Sequence, residues 1–207
     1  MLDENIELGS GAMGSVHSAV VNGHTVAIKT PYKANDEQFE AEVRLHMSLA
    51  NSPYVIRAQF ASITTGKMRL VMDYSDNRDL RYHIKEGTIP PDKKQTIAVA
   101  VINGLSFIHG AGILHGDLAP ENVLLNQEWQ AKIAGFSAAM RKNETGYQKK
   151  LRGNMDSIAP EVIVKKEYSE RSDIYSYGSL LLQLVTGERP YGDYLEDAEF
   201  YQGVCSG

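Results

Sequence analysis

Gly9-Ser10-Gly11-Ala12-Met13-Gly14-Ser15-Val16 is followed after a short interval by Val26-Ala27-Ile28-Lys29. Glycines let backbone N–H groups approach phosphate oxygens without side-chain interference. Alone, a G-x-G-x-x-G run is a weak signal, and a plain hairpin turn explains it better. The residues on its C-terminal side discriminate. Residues 15–21 and 24–29 are rich in Val, Ala and Ile and are joined by Asn22-Gly23, a strong tight-turn signal. The glycine run therefore leads into a strand. That argues against a dinucleotide-binding domain, whose glycines open a helix, and fits a flap between two strands. A lysine ending an apolar strand usually faces solvent, but behind a glycine flap Lys29 can reach the phosphates of a nucleotide.

Outward from this stretch, residues 36–49 read as a helix. Asp36 can cap it, and Phe39, Val43, Leu45 and Leu49 give an imperfect apolar face. Residues 58–64 and 68–74 read as another strand pair around Thr65-Gly66-Lys67. The first ~75 residues thus form a small sheet with one helix. The character then changes, with a seam near residues 73–77. Residues 91–111 form a predicted helix opened by Pro90-Pro91 and closed near Gly110 and Gly112. Short extended pieces come next, at Val123-Leu124-Leu125 and Ala131-Lys132-Ile133. Residues 141–155 read as a long polar surface loop. Residues 172–186, with Leu180, Leu181, Leu182, Leu184 and Val185, are apolar nearly all round and predict a buried helix ended by Gly187. A last amphipathic piece covers residues 195–204.

The chain has 207 residues and is 43% hydrophobic, ordinary for a globular protein. Lys and Arg number 21 and Asp and Glu 26, a formal charge of -5, which makes it a poor general binder of nucleic acid or anionic membrane. The basic pairs Lys149-Lys150 and Lys165-Lys166 read as solvated faces. One cysteine, Cys205, excludes an internal disulfide, and the six histidines show no metal spacing. No apolar run is long enough to span a bilayer, and the acidic start does not resemble a signal peptide. The expectation is a cytoplasmic protein without membrane insertion or nucleic-acid partner.

The glycine run paired with Val26-Ala27-Ile28-Lys29 resembles the signature of the eukaryotic-type protein kinase family, and the rest of the chain keeps that family's order. The resemblance implies an α+β, two-lobed fold: an N-lobe of residues 1–75 with a small antiparallel sheet and one helix, and a mostly helical C-lobe of residues 76–207, short after its buried helix. The whole of residues 1–207 is one kinase-like domain in this reading. It implies ATP held under Gly9, Ser10, Gly11 and Gly14, with Lys29 on its phosphates and Glu42 holding Lys29. Glu42 fits the family's helix pattern best, and Glu40 is the fallback. His46 stands where the family usually has an apolar residue, a departure that would loosen the helix. Leu70-Val71-Met72-Asp73-Tyr74 resembles the hinge, with Met72 as gatekeeper, backbone groups of Asp73, Tyr74 and Ser75 meeting adenine, and Val16, Ala27 and Leu124 sandwiching it.

His115-Gly116-Asp117-Leu118-Ala119-Pro120-Glu121-Asn122 is the strongest local match, to H-R-D-L-x-x-x-N. It implies Asp117 as catalytic base and Asn122 as a magnesium ligand. Gly116 replaces an Arg that commonly binds a phosphorylated loop, and Ala119 replaces the Lys of Ser/Thr-type members, so the acceptor residue stays open. The gravest departure is Lys132-Ile133-Ala134-Gly135-Phe136-Ser137, where the family has K-I-x-D-F-G. Gly135 offers no carboxylate for the main magnesium site, and Asp156 or Glu144 would need an unusual path to replace it. Losing such a clamp costs on the order of a hundredfold or more in rate. One magnesium ion at most, weakly held, is the expectation.

Ala159-Pro160-Glu161 and Asp173-Ile174-Tyr175-Ser176-Tyr177-Gly178 match the family's A-P-E and D-x-W-S-x-G, the Asp tying down the catalytic loop's backbone. Thr145 and Tyr147 are candidate phosphosites, read rather as inert loop residues because Gly116 removes the usual Arg partner. The end at Val204-Cys205-Ser206-Gly207, inside a predicted helix, reads as a fragment or divergent short form, with Glu161 lacking its Arg partner. The leading expectation is a pseudokinase or near-inactive kinase that binds nucleotide and a regulated protein partner. The alternative is an active atypical kinase acting on protein hydroxyls. A small-molecule phosphotransferase, suggested by Gly116, ranks third. The run A-P-E-V-I with T-G-E-R-P-Y looks most like the tyrosine-kinase-like group.

Overall fold

The computed structural model describes residues 4–11, 13–33, 36–64, 67–144, 153 and 155–190. Strands β1 (Glu4–Gly11), β2 (Gly14–Val21) and β3 (His24–Pro31) are followed by helix α1 (Glu37–Ser48) and strands β4 (Ala58–Thr64) and β5 (Lys67–Asp73). These strands make one antiparallel sheet in the order β1-β2-β3-β5-β4. The β2–β3 turn is set by Asn22 and Gly23, at φ 51° and 81°, the paired left-handed conformation that keeps a two-residue hairpin in line with strand twist.

Alternation along β3 divides its side chains between two faces. Val26 and Ile28 pack with Ala19 and Val71. Ala27 packs on the other face with Phe39, Val43, Ile56, Ala58, Leu70 and Met72. Lys29 shares a face with Ala27, so the pleat aims it toward α1. Helix α1 starts where Asp36 accepts hydrogen bonds from the N–H groups of Gln38 and Phe39.

The second lobe contains α2 (Leu80–Glu86), α3 (Pro91–Gly110), β6 (Ile113–Leu114), β7 (Val123–Leu125), β8 (Ala131–Ile133), β9 (Met140–Arg141), α4 (Pro160–Lys165) and α5 (Glu170–Thr186). Its core is built on Ile97, Val101, Leu105 and Ile108, the inward stripe of α3, closed by β7, β8 and α5 and reaching Leu45 of α1 and Leu49 just after it. The molecule is therefore α+β, with an antiparallel N-lobe sheet and a helical C-lobe, as the resemblance implies. No helix of the described residues is long and apolar enough to cross a membrane.

Two expectations need correction. Helix α5 is buried along one side only: Leu180 and Leu184 are buried, whereas Ile174, Leu182 and Val185 are 48%, 49% and 69% exposed. An all-round apolar composition says which faces can be buried, not which neighbours cover them. The polar stretch from 141 is also not wholly loop, because Met140 and Arg141 pair with Leu114 and Ile113. Thr145, Tyr147, Lys149, Lys150, Cys205 and the piece at 195–204 lie outside the described residues.

Candidate functional site

The two lobes meet where Leu124 of β7 and Ala134 pack against the cluster that holds Ala27 of β3 and Met72 of β5. Lys29 Nζ donates to Glu42 Oε1 at 2.5 Å, with side chains 14% and 3% exposed. Glu40 faces outward instead and pairs with Arg44 at 3.5 Å on the exposed side of α1. The pleat of β3 and the inward face of α1 thus join a cation to a carboxylate across the lobe.

The glycines of the first motif differ in what they do. A Cβ on Gly14 would lie 2.2 Å from the carbonyl oxygen of Thr30, so close pairing of β2 with β3 requires glycine there. A Cβ on Gly9 or Gly11 would meet nothing within 4 Å. Packing does not explain those two, and Ser10 between them is exposed. Behind the flap, Val16, Leu124 and Ala134 pack against the cluster that holds Ala27 and Met72, an apolar slot on the cleft side of the sheet. At the hinge, the N–H of Asp73 donates to Arg57 O at 3.0 Å, and its carboxylate accepts from Arg57 and Gln59. The Asp73 N–H is therefore not available to an adenine, and Tyr74 and Ser75 come after it. The Ser75 hydroxyl donates to Leu125 O at 2.5 Å, fastening the hinge to β7.

The catalytic-loop motif is held from below by Asp173 of α5. Its carboxylate accepts from the N–H groups of His115 and Gly116, each at 2.9 Å, and from His109 Nε2 at 2.8 Å. Gly116 has φ 72°, and a Cβ there would come within 2.8 Å of Ala138 O. A Cβ on Gly153 would in turn lie 2.8 Å from Gly116 O and 3.8 Å from Asp117 Oδ1. The loop is thus clasped between the segment after β8 and Gly153, and glycine at 116 suits that contact as well as removing an Arg.

His115 donates through Nε2 to Ala134 O at 2.9 Å and lies edge-on to Phe136, centroids 5.1 Å apart. His46 also packs against Phe136, tilted and with centroids 4.5 Å apart, and donates through Nε2 to Ile56 O at 2.6 Å. Burial, with smaller contributions from nearby Lys29 and His115, lowers the His46 pKa to about 4 although the Ile56 hydrogen bond opposes it. The expectation that His46 loosens α1 is therefore corrected: a neutral, hydrogen-bonded imidazole joins α1 to Phe136 and to the backbone just ahead of β4, and α1 keeps Glu42 on Lys29.

The place where the resemblance puts a magnesium ion is different. Gly135 stands at φ 78°, ψ 54°. Asn122 Nδ2 donates to Asp117 O at 2.7 Å and to Asp117 Oδ2 at 3.0 Å. A Cβ on Gly135 would be 2.1 Å from Asn122 Oδ1 and 2.3 Å from its Cγ, so the amide lies where a side chain from 135 would begin. Asp156 does not substitute for the absent carboxylate, because it is buried and paired with Arg189 Nε at 2.7 Å. The side chain of Glu144 lies outside the described residues. Among the described residues no group of three or more His, Cys, Asp or Glu side chains gathers to hold a metal ion.

A family model described as protein kinase domain matches residues 2–206. The proline-rich receptor-like protein kinase PERK4 of Arabidopsis thaliana is 32% identical over 200 residues, 91% of this chain and 31% of that protein. The RasGEF domain-containing serine/threonine-protein kinase X of Dictyostelium discoideum is 29% identical over 198 residues, 91% of this chain and 20% of that protein. The dual specificity protein kinase shkE of the same organism is 29% identical over 211 residues, 96% of this chain and 29% of that protein. The chain spans about a third or less of the length of these curated relatives.

Proposed function

The chain belongs to the protein kinase family, and from that premise we propose that it binds ATP between its lobes and works in signalling through protein contacts, with little or no phosphate transfer of its own. Family membership implies nucleotide and protein substrates in general; a pseudokinase role is the finer reading. ATP fits the residues present. The open space over Gly9 and Gly11 admits phosphates to the backbone, Lys29 stands ready with its charge held by Glu42, and Val16, Ala27 and Leu124 line an apolar slot beside the hinge at Met72, Asp73 and Tyr74. The cytoplasm, where ATP is available, is the setting of this proposal.

One observation carries the reading. Position 135 brings no carboxylate to the phosphates, and the Asn122 amide turns its nitrogen to Asp117. Phosphoryl transfer depends on neutralising charge on the transferred group while a base aligns the hydroxyl. Here Asp117, the candidate base, is tied to Asn122. The resemblance to the tyrosine-kinase-like group is part of the proposal, while the acceptor residue stays open: the relatives' names include both serine/threonine and dual specificity kinases.

A second reading, a slow atypical kinase, draws support from the assembled Lys29–Glu42 pair and the packed His46, Phe136 and His115 rings. The deciding experiment is transfer from labelled ATP, with magnesium or manganese, to the chain itself and to generic protein substrates, beside Asp117→Asn. The expected result is no transfer above the mutant's level. Transfer that disappears in the mutant makes the second reading correct.

A further inference from the structure

Protein kinases in general use ATP together with magnesium, and the residues of this chain do not fit that ion. Magnesium at a nucleotide is ordinarily bound by one or two carboxylates in addition to the phosphates. Position 135 supplies none, and position 122 supplies a neutral amide oxygen, its nitrogen donating to Asp117 O and Oδ2. The other buried acids at the site are committed: Glu42 to Lys29, Asp173 to His109 and the N–H groups of His115 and Gly116, and Asp156 to Arg189.

We infer that the cleft takes its nucleotide without a divalent cation, the Asn122 side chain filling the space in which a metal-binding residue at 135 would stand. This rests on the nucleotide-binding reading and adds the form of the ligand: a metal-free nucleoside polyphosphate. Its phosphate charge is met by Lys29 and by backbone N–H groups of the glycine flap, where Gly9 and Gly11 leave room for oxygens to approach. Lys29 suits this task because its side chain is 14% exposed and already oriented by a carboxylate behind it. In this arrangement the Asn122 nitrogen holds Asp117, and its uncharged Oδ1 lies 2.1 Å from where a Cβ of residue 135 would stand, so a neutral oxygen takes the place of a carboxylate.

The test is a calorimetric titration of ATP into the whole chain, once in EDTA and once in excess magnesium, with manganese as a third condition. The expected result is binding in EDTA that either cation improves by less than tenfold, or weakens by complexing free ATP. A gain of tenfold or more, about 1.4 kcal/mol, overturns this inference and leaves nucleotide binding intact. No binding under any condition overturns the nucleotide-binding reading along with it. Water-proton relaxation of manganese added to the ATP-bound chain gives a second readout: no enhancement from protein-held ion is expected, and a saturable enhancement overturns the inference.

Discussion

His46 lies against Phe136 with ring centroids 4.5 Å apart and planes inclined by 33°, while its Nε2–H is spent on the carbonyl of Ile56. A polar ring has thereby taken a place between α1 and the second lobe that a hydrocarbon side chain could fill. It does so neutral, since burial holds its pKa near 4.

This makes stability depend on pH in a definite direction. The folded-state pKa is about 4 against an ordinary 6.5, so between those values the unfolded chain binds more protons. The His46 contribution is complete above pH ~6.5 and is lost as pH falls toward 4. The loss is about 1 kcal/mol at pH 5.5 and about 3 kcal/mol below pH 4, at 1.36 kcal/mol per pKa unit. Urea unfolding of the wild type and His46→Leu across pH 4–8 checks this. The two curves should diverge below pH 6.5, the leucine variant losing less; parallel curves would show that His46 does not titrate as its surroundings demand.

The Lys29–Glu42 pair supports a contrast between two glutamates on one helix. Glu42 is buried with its partner, and removing one member of such a pair strands the other charge, at about 3 kcal/mol. Glu42→Ala should therefore lower stability by about that amount and weaken ATP binding. Glu40→Ala breaks only an exposed pair with Arg44 and should change stability by less than about 0.5 kcal/mol. Urea midpoints measured side by side check the contrast. Equal effects would mean that the buried pair does not hold α1 against the sheet.

Legibility in the sequence depends on which signals are local. Asp36 before an apolar-periodic run and Asn22-Gly23 between two strands each carry their geometry in a few residues, and both elements form accordingly. Helix α2 escapes a reading by periodicity because Leu80–Glu86 is too short to show a period. Asp79 nevertheless accepts from Tyr82 N–H as its cap, and Gly87 ends it in the left-handed conformation. Those two signals are sufficient to find it. Strands β6 and β9, of two residues each, carry no local pattern at all.

At the site, residue types are legible in the sequence and their orientations are not. Gly116 and Gly135 stand out as losses of an Arg and an Asp. That each sits at positive φ with a neighbour in its Cβ space depends on Ala138 and Asn122, brought there by the fold. His46 is readable as an odd residue in an apolar place, but its acceptor belongs to Ile56, just ahead of β4, which no spacing rule connects to it. Likewise, the composition of α5 does not say that Leu182 and Val185 face outward.

The glycine flap separates folding from ligand binding most sharply. Gly14 pairs with Pro31 across β2 and β3, and an added methyl there would press into the Thr30 carbonyl at 2.2 Å. The obstacle is backbone, which cannot rotate away as a side chain would, so Gly14→Ala should destabilise by about 1–3 kcal/mol. Gly11 has nothing within 4 Å of the same methyl, so Gly11→Ala should leave stability within about 0.5 kcal/mol. Its methyl would instead meet the phosphates, and ATP affinity should fall about tenfold, ~1.4 kcal/mol. Urea unfolding and ATP titration of both variants test the pair together. If Gly11→Ala binds ATP as tightly as the wild type, glycine at 11 does not serve phosphate approach, and the flap is only a hairpin.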